Sequence, residues 1–250
     1  MRLSFLKARI KALIDTLLSR FHSFCFVETG IGFATARALL ARGAKGVLIC
    51  ARNENDCKVA IETLKGEFPS PNHQICFCAC DVSTPEGRQM LLDETNTAFG
   101  GILHGLVNNV GRNVRKDMSQ QTPVEYDSMM KTNVDSAYFL CQLFQDLLAH
   151  TSSSMNVETT GMATSVVNVA SAAGVQSSGT GAVYGMSKAA MIHFSKILAC
   201  EWAKFNIRVN AGKLVSYFSA SNSHSWTSHK SLYTFSSLFF HCFILQWLLG

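Results

Sequence analysis

"FVETGIGFATARALLARGAKGVLICARN", residues 26–53, reads as a strand end, a turn at Gly30, Ile31 and Gly32, a helix over 33–42 and a second strand at 46–50. That order is one parallel βαβ unit, because parallel neighbours need a crossover and a helix supplies it. Outward from it the alternation repeats. "GVLIC" (46–50), "QICFCAC" (74–80), "GLVNNV" (105–110) and "SVVNVAS" (165–171) are short runs rich in Val, Ile and Cys, as strands buried on both faces are. Helical stretches at 54–67, 85–98, 123–149 and 182–204 separate or follow them. The predicted fold is α/β: a doubly wound parallel sheet with helices on both faces and ligands at the carboxyl ends of the strands. "HTSSSMNVETTGMAT" (150–164) is polar and reads as a surface loop before the fifth strand.

The net charge of +5 sits in the ends of the chain: residues 1–27 carry +4, 212–250 carry +2, and 28–211 carry −1. The body has no basic footprint, so DNA and RNA are not expected partners. Nine cysteines at irregular spacing suggest a reducing compartment, with a cytoplasmic location expected. Cys76, Cys78 and Cys80 alternate, so on a strand they share one face and read as core rather than as a metal cluster. No metal is expected.

Three segments follow from composition. Residues 1–27 place Leu3, Leu6, Ile10, Leu13, Leu17 and Phe21 at helical spacing among Arg and Lys, an amphipathic, acid-poor stretch compatible with organelle targeting. Residues 28–211 form the α/β domain. Residues 212–250 hold nine serines and no Asp, Glu or Pro, and end in the aromatic-rich "LYTFSSLFFHCFILQWLLG", too interrupted by polar residues to be expected to span a membrane.

"YGMSK" places Tyr184 and Lys188 four apart on one helix face. An ammonium near a phenol favours the phenolate and moves tyrosine towards proton transfer at neutral pH. Ser171 ends a strand thirteen residues earlier, "NNVG" (Asn108 to Gly111) ends another, Asp81 and Val82 close a third, and Asn133 lies in "TNVDSAY". Together these elements resemble the short-chain dehydrogenase/reductase family of Rossmann-type enzymes. "NNVGRNVRK", "TNVDSAY" and "LACEWAKFNIRVNA" look most like its tropinone reductase-like members.

The resemblance covers about residues 30–211 and implies an enzyme that interconverts a ketone and a secondary alcohol. Tyr184 would exchange the proton with the substrate oxygen. Lys188 would support Tyr184 and bind the nicotinamide ribose. Ser171 would hold the carbonyl oxygen where negative charge develops, and Asn133 would hold a relaying water. Asp81 and Val82 would flank the adenine, with Asn108 and Gly111 lining the groove. Gly30, Ile31 and Gly32 would offer backbone donors to the pyrophosphate. Cofactor choice is read from the second strand. NAD enzymes carry an acidic residue about twenty positions after the glycine loop, whereas Arg52 stands there and could pair with a 2′-phosphate. NADP(H) is therefore expected, with a homodimer or homotetramer formed through the long helices.

Two departures qualify the pattern. In the family's TGxxxGxG loop, either Cys25 and Phe26 stand where Thr and the first Gly belong, or Thr29 and Gly30 begin a shortened motif. Beyond residue 211 the family's Pro-Gly turn is absent, since the last proline is Pro123. Gly212-Lys213 is what an intron start would encode, so residues 212–250 are expected to be translated intron and 1–27 to replace the authentic start. On this expectation the C-terminal part of the sheet is altered or missing, and the alternative function is that of a catalytically inactive, truncated or mis-spliced family member acting, if at all, as a binding protein.

Overall fold

A computed structural model describes residues 21–25, 30–155 and 163–214. Six parallel strands, β1 (Phe21–Cys25), β2 (Gly46–Ala51), β3 (Gln74–Ala79), β4 (Gly105–Asn108), β5 (Thr164–Ser171) and β6 (Ile207–Leu214), lie in the order β3-β2-β1-β4-β5-β6. The chain runs one way from β1 to β3 and the other way from β4 to β6, so the order reverses between β1 and β4. In an open α/β sheet that reversal opens a crevice at the carboxyl ends of the strands.

Side-chain alternation along the strands builds two cores. Leu48, Cys50, Leu106 and Val166 face one side and pack on α3 (Pro85–Phe99), α5 (Ser136–Ser154) and α6 (Ala182–Trp202) through Leu91, Phe144, Leu148, Leu198 and Trp202. Val47, Ile49, Val107 and Val167 face the other side and pack on α1 (Ile31–Ala41) and α2 (Glu54–Glu67) through Leu39, Leu40, Ile61 and Leu64. Each fully buried Leu or Phe contributes about 1.5–3 kcal/mol relative to exposure. Cys78 and Cys80 belong to the first core; hydrogen bonding with Cys80 and burial push the Cys78 thiol up, and hydrogen bonding with Cys50 and burial push the Cys80 thiol up against an opposing bond from Cys78. Among the described residues no His, Cys, Asp or Glu group could hold a metal.

Local chemistry sets the helix starts. Asn53 caps α2, Thr84 caps α3 ahead of Pro85, and Thr122 and Glu125 form a capping box on α4 (Pro123–Met130). α4 and α5 form one helical stretch interrupted by a π turn at Lys131–Asp135.

Three boundaries differ from the sequence expectations. The central strand β1 takes residues 21–25, inside the segment expected to be amphipathic and N-terminal to the domain. α5 continues to Ser154, so the surface loop expected at 150–164 is helical over its first third. The polar residues there are used inward: Thr151 Oγ1 accepts from the Leu103 amide at 2.9 Å, and Ser152 Oγ donates to the Asn206 carbonyl at 2.9 Å. β6 runs to Leu214, past the expected limit at 211, with Gly212, Lys213 and Leu214 in register with Val169, Ala170 and Ser171. The expectations for residues 1–20, for Phe26 and Thr29 of the glycine loop and for the run beyond residue 214 lie outside the described residues. Among the described residues no helix is long and apolar enough to cross a membrane.

Candidate active site

β5 delivers Ser171 to the edge of the crevice, and a 3-10 turn (Ala172–Gly174) follows at once. Ser171 Oγ accepts from the Ala173 amide at 3.2 Å, which holds the turn against the strand end. Gly174 then lies on the α6 backbone so closely that a Cβ would stand 2.6 Å from the Lys188 carbonyl carbon and 2.7 Å from the Ala189 nitrogen. Only glycine allows that contact, and it ties the serine-bearing turn to the helix that carries Tyr184 and Lys188.

Lys188 is 4% exposed, and its Nζ donates to the Val169 carbonyl at 2.8 Å. Burial disfavours the ammonium and pulls its pKa from the usual 10.5 down to about 8. Tyr184, one helical turn earlier and half-buried, has its ring centroid 5.8 Å from that nitrogen.

Asn133 sits in the π turn, where one extra residue per turn rotates it inward. Its Oδ1 accepts from the Arg112 amide at 2.8 Å, and its Nδ2 donates to the Arg112 carbonyl and to Ser187 Oγ, both at 3.0 Å. Ser187 Oγ donates in turn to the Tyr184 carbonyl at 2.8 Å. Between Asn133 and Lys188 stands Gly111, where a Cβ would come 3.2 Å from Lys188 Nζ and 3.5 Å from Asn133 Oδ1. The missing side chain keeps open the path between the two polar groups.

The structure thus gathers Ser171, Tyr184, Lys188, Asn133 and Gly111 at the β4 and β5 ends. Arg52, Asp81 and Val82 stand apart, just past the ends of β2 and β3. From β5 to β2 is three strand spacings, roughly 14 Å, a span an extended dinucleotide can bridge. Arg52 is exposed; Asp81 turns its Oδ1 to the Ser83 amide at 2.9 Å; Val82 is buried. Gly30 begins α1 with φ +84°, a conformation that disfavours any side chain. Among the described residues no side chain caps that helix and no acid lies in its first turn. Open amides and the dipole at Ile31 and Gly32 suit an anionic diphosphate. Asn108 Oδ1, at the reversal between β1 and β4, is the one buried side-chain N or O without a partner among the described residues. The residues present therefore fit a dinucleotide.

Ser187, Gly174 and the Val169 carbonyl were not singled out from sequence. Ser187 had a signal in its place inside "YGMSK"; Gly174 and the carbonyl act through backbone proximity, which residue type does not announce.

A family model described as short chain dehydrogenase matches residues 27–222. A tropinone reductase homolog of Datura stramonium is 36% identical over 182 residues, 73% of this chain and 62% of that protein. A tropinone reductase homolog of Arabidopsis thaliana is 38% identical, over 73% of this chain and 64% of its own length. The chain thus spans less than two thirds of these relatives. Among solved structures, L-sorbose reductase from Gluconobacter frateurii, complexed with NADPH and L-sorbose, superposes with a TM-score of 0.69 at 26% identity, covering 77% of this chain and 68% of that one. An NADH-dependent reductase complexed with NAD shares the fold, with a TM-score of 0.69 at 23% identity and 80% coverage of both chains.

Proposed function

This chain belongs to the short-chain dehydrogenase family, and on that premise we propose that it is an NADP(H)-dependent oxidoreductase interconverting a ketone and a secondary alcohol. The observation that carries the reading is Lys188: a buried amine anchored to the end of β5, next to Tyr184 and across an open gap from Asn133. A lone buried lysine is costly unless it is used.

Tyr184 Oη gives its proton to the carbonyl oxygen during reduction and takes it back during oxidation. Ser171 Oγ donates to the same oxygen, where charge develops. Lys188, when charged, favours the tyrosinate that remains and binds the nicotinamide ribose. The Asn133 amide is committed to Arg112 and Ser187, so the relaying water is assigned to a backbone carbonyl of the π turn, where the helical ladder is interrupted. When bound, the nicotinamide supplies or accepts the hydride.

Gly30, Ile31 and Gly32 would hold the pyrophosphate, Asp81 and Val82 the adenine, and Asn108 and Gly111 the groove wall. Arg52 selects the 2′-phosphate, in keeping with the NADPH of the sorbose reductase complex. A cytoplasmic homodimer or homotetramer completes the reading.

The test is NADPH oxidation by purified full-length chain with a panel of small ketones, alongside tryptophan quenching by NADPH and NADH. Turnover with tighter NADPH than NADH binding is expected. A second reading, a non-catalytic binding protein, rests on Phe26 standing in one alignment where the family's first loop glycine belongs. A folded chain that neither quenches nor turns over would favour it.

A further inference from the structure

Asn168 and Ser195 have no part in the chemistry above, yet both are buried. Asn168 shares its face of β5 with Val166, a face packed with Leu140, Phe144, Leu198 and Trp202. Leucine there would need no hydrogen bond, whereas an amide must find a partner for each end. It does so in one direction only. Ser195 Oγ donates to the Met191 carbonyl at 2.7 Å, which leaves its oxygen to accept from Asn168 Nδ2 at 2.9 Å. Asn168 Oδ1 accepts from Asn108 Nδ2 at 2.8 Å, and the same Asn108 nitrogen lies 3.4 Å from Cys141 Sγ. One chain of donors thus ties β4, β5 and α6 together beneath the crevice, with a side contact to α5.

Its position relative to Lys188 gives this chain a use. Ser195 and Lys188 are seven residues apart, so they lie on one face of α6, about 10 Å apart along its axis. Their partners, Asn168 and the Val169 carbonyl, are adjacent on β5. Gly174 on the Lys188 backbone and Asn133 on Ser187 hold the first half of α6, and the Ser195–Asn168 bond ties its second half to β5, where apolar packing alone would let it slide or roll. We propose that Asn168 and Ser195 are positioning residues for Lys188, their hydrogen bond fixing the register of α6 on β5 so that Lys188 Nζ meets the Val169 carbonyl beside Tyr184. Among the described residues Lys188 Nζ meets that carbonyl and lies over the Tyr184 ring, with Asn133 Oδ1 on the far side of Gly111. The catalytic consequence rests on the oxidoreductase reading; the placement of Lys188 does not.

The test uses the full-length chain with Ser195→Ala, which removes the acceptor and keeps the apolar packing, and Ser195→Thr, which keeps the hydroxyl. Two readouts are taken: the Lys188 side-chain NMR signal, assigned with Lys188→Arg and titrated with pH, and kcat and KM for ketone reduction. In Ser195→Ala the Lys188 signal should move towards that of exposed lysines, and kcat should fall roughly tenfold with KM within about twofold, as expected of misplacement rather than lost binding. Ser195→Thr should restore both. A lower melting temperature with an unchanged Lys188 signal would overturn the proposal and leave the pair a purely structural tie. Wild-type chain without turnover would count against the oxidoreductase reading alone, since the NMR signal still decides the placement. Should Ser195→Ala not fold, Ser195→Cys, a weaker acceptor of similar size, carries the same readouts.

Discussion

Lys188 is governed by burial rather than by a counter-ion, since no carboxylate pairs with it among the described residues. Two opposite pH trends follow. Its folded-state pKa of about 8 lies below the usual 10.5, so between those values the unfolded chain binds a proton that the folded chain does not. Its contribution to stability therefore rises with pH from about 8 to about 10.5. Turnover that needs the ammonium should fall over the lower part of that window. Denaturant midpoints and kcat measured across it should diverge, and Lys188→Met should remove the stability trend. Tyr184→Phe should cost roughly 10²–10⁴-fold in turnover while NADPH quenching stays intact. The nearness of Tyr184 to Lys188 was legible because a spacing of four puts them on one helix face. Gly174 was not, because its role is a distance to another backbone; Gly174→Ala must move Ser171 or α6, costing about 1–3 kcal/mol and lowering kcat.

Elements were legible where periodicity and caps agree: α2 was placed correctly at both ends, with Asn53 capping its start. They were misread where polar residues turn inward. "HTSSS" has the composition of a loop, but Thr151 also donates to the Leu147 carbonyl and closes the start of β4 through Leu103. Thr151→Val keeps the shape and leaves the Leu103 amide unsatisfied, a loss of about 1–3 kcal/mol that chemical denaturation would read. β6 escaped notice because Arg208 and Asn210 interrupt its apolar run. At the end of β2, Arg52→Ala should weaken NADPH about 10–100-fold and leave NADH nearly unchanged, measured by quenching titration.

On the scale of the molecule, the doubly wound sheet was readable from alternation alone, while the strand order was not, because alternation does not say which strands are neighbours. A ligand that lies across β2 to β5 bridges both halves of the sheet. Saturation with NADPH at about a hundred times Kd should therefore raise stability by about 2.7 kcal/mol, and removal of the nucleotide should reverse it. A melting temperature indifferent to NADPH would count against binding in the crevice. The strand order also bears on how the chain is made. β1 leaves the ribosome first and can pair with β2 soon after, but its other edge must wait for β4, whose Asn108 is 83 residues beyond Cys25 in the same register. Throughout that interval a nascent chain presents an unpaired strand edge, so slow decoding between β2 and β4 would lengthen its exposure to other chains and to chaperones.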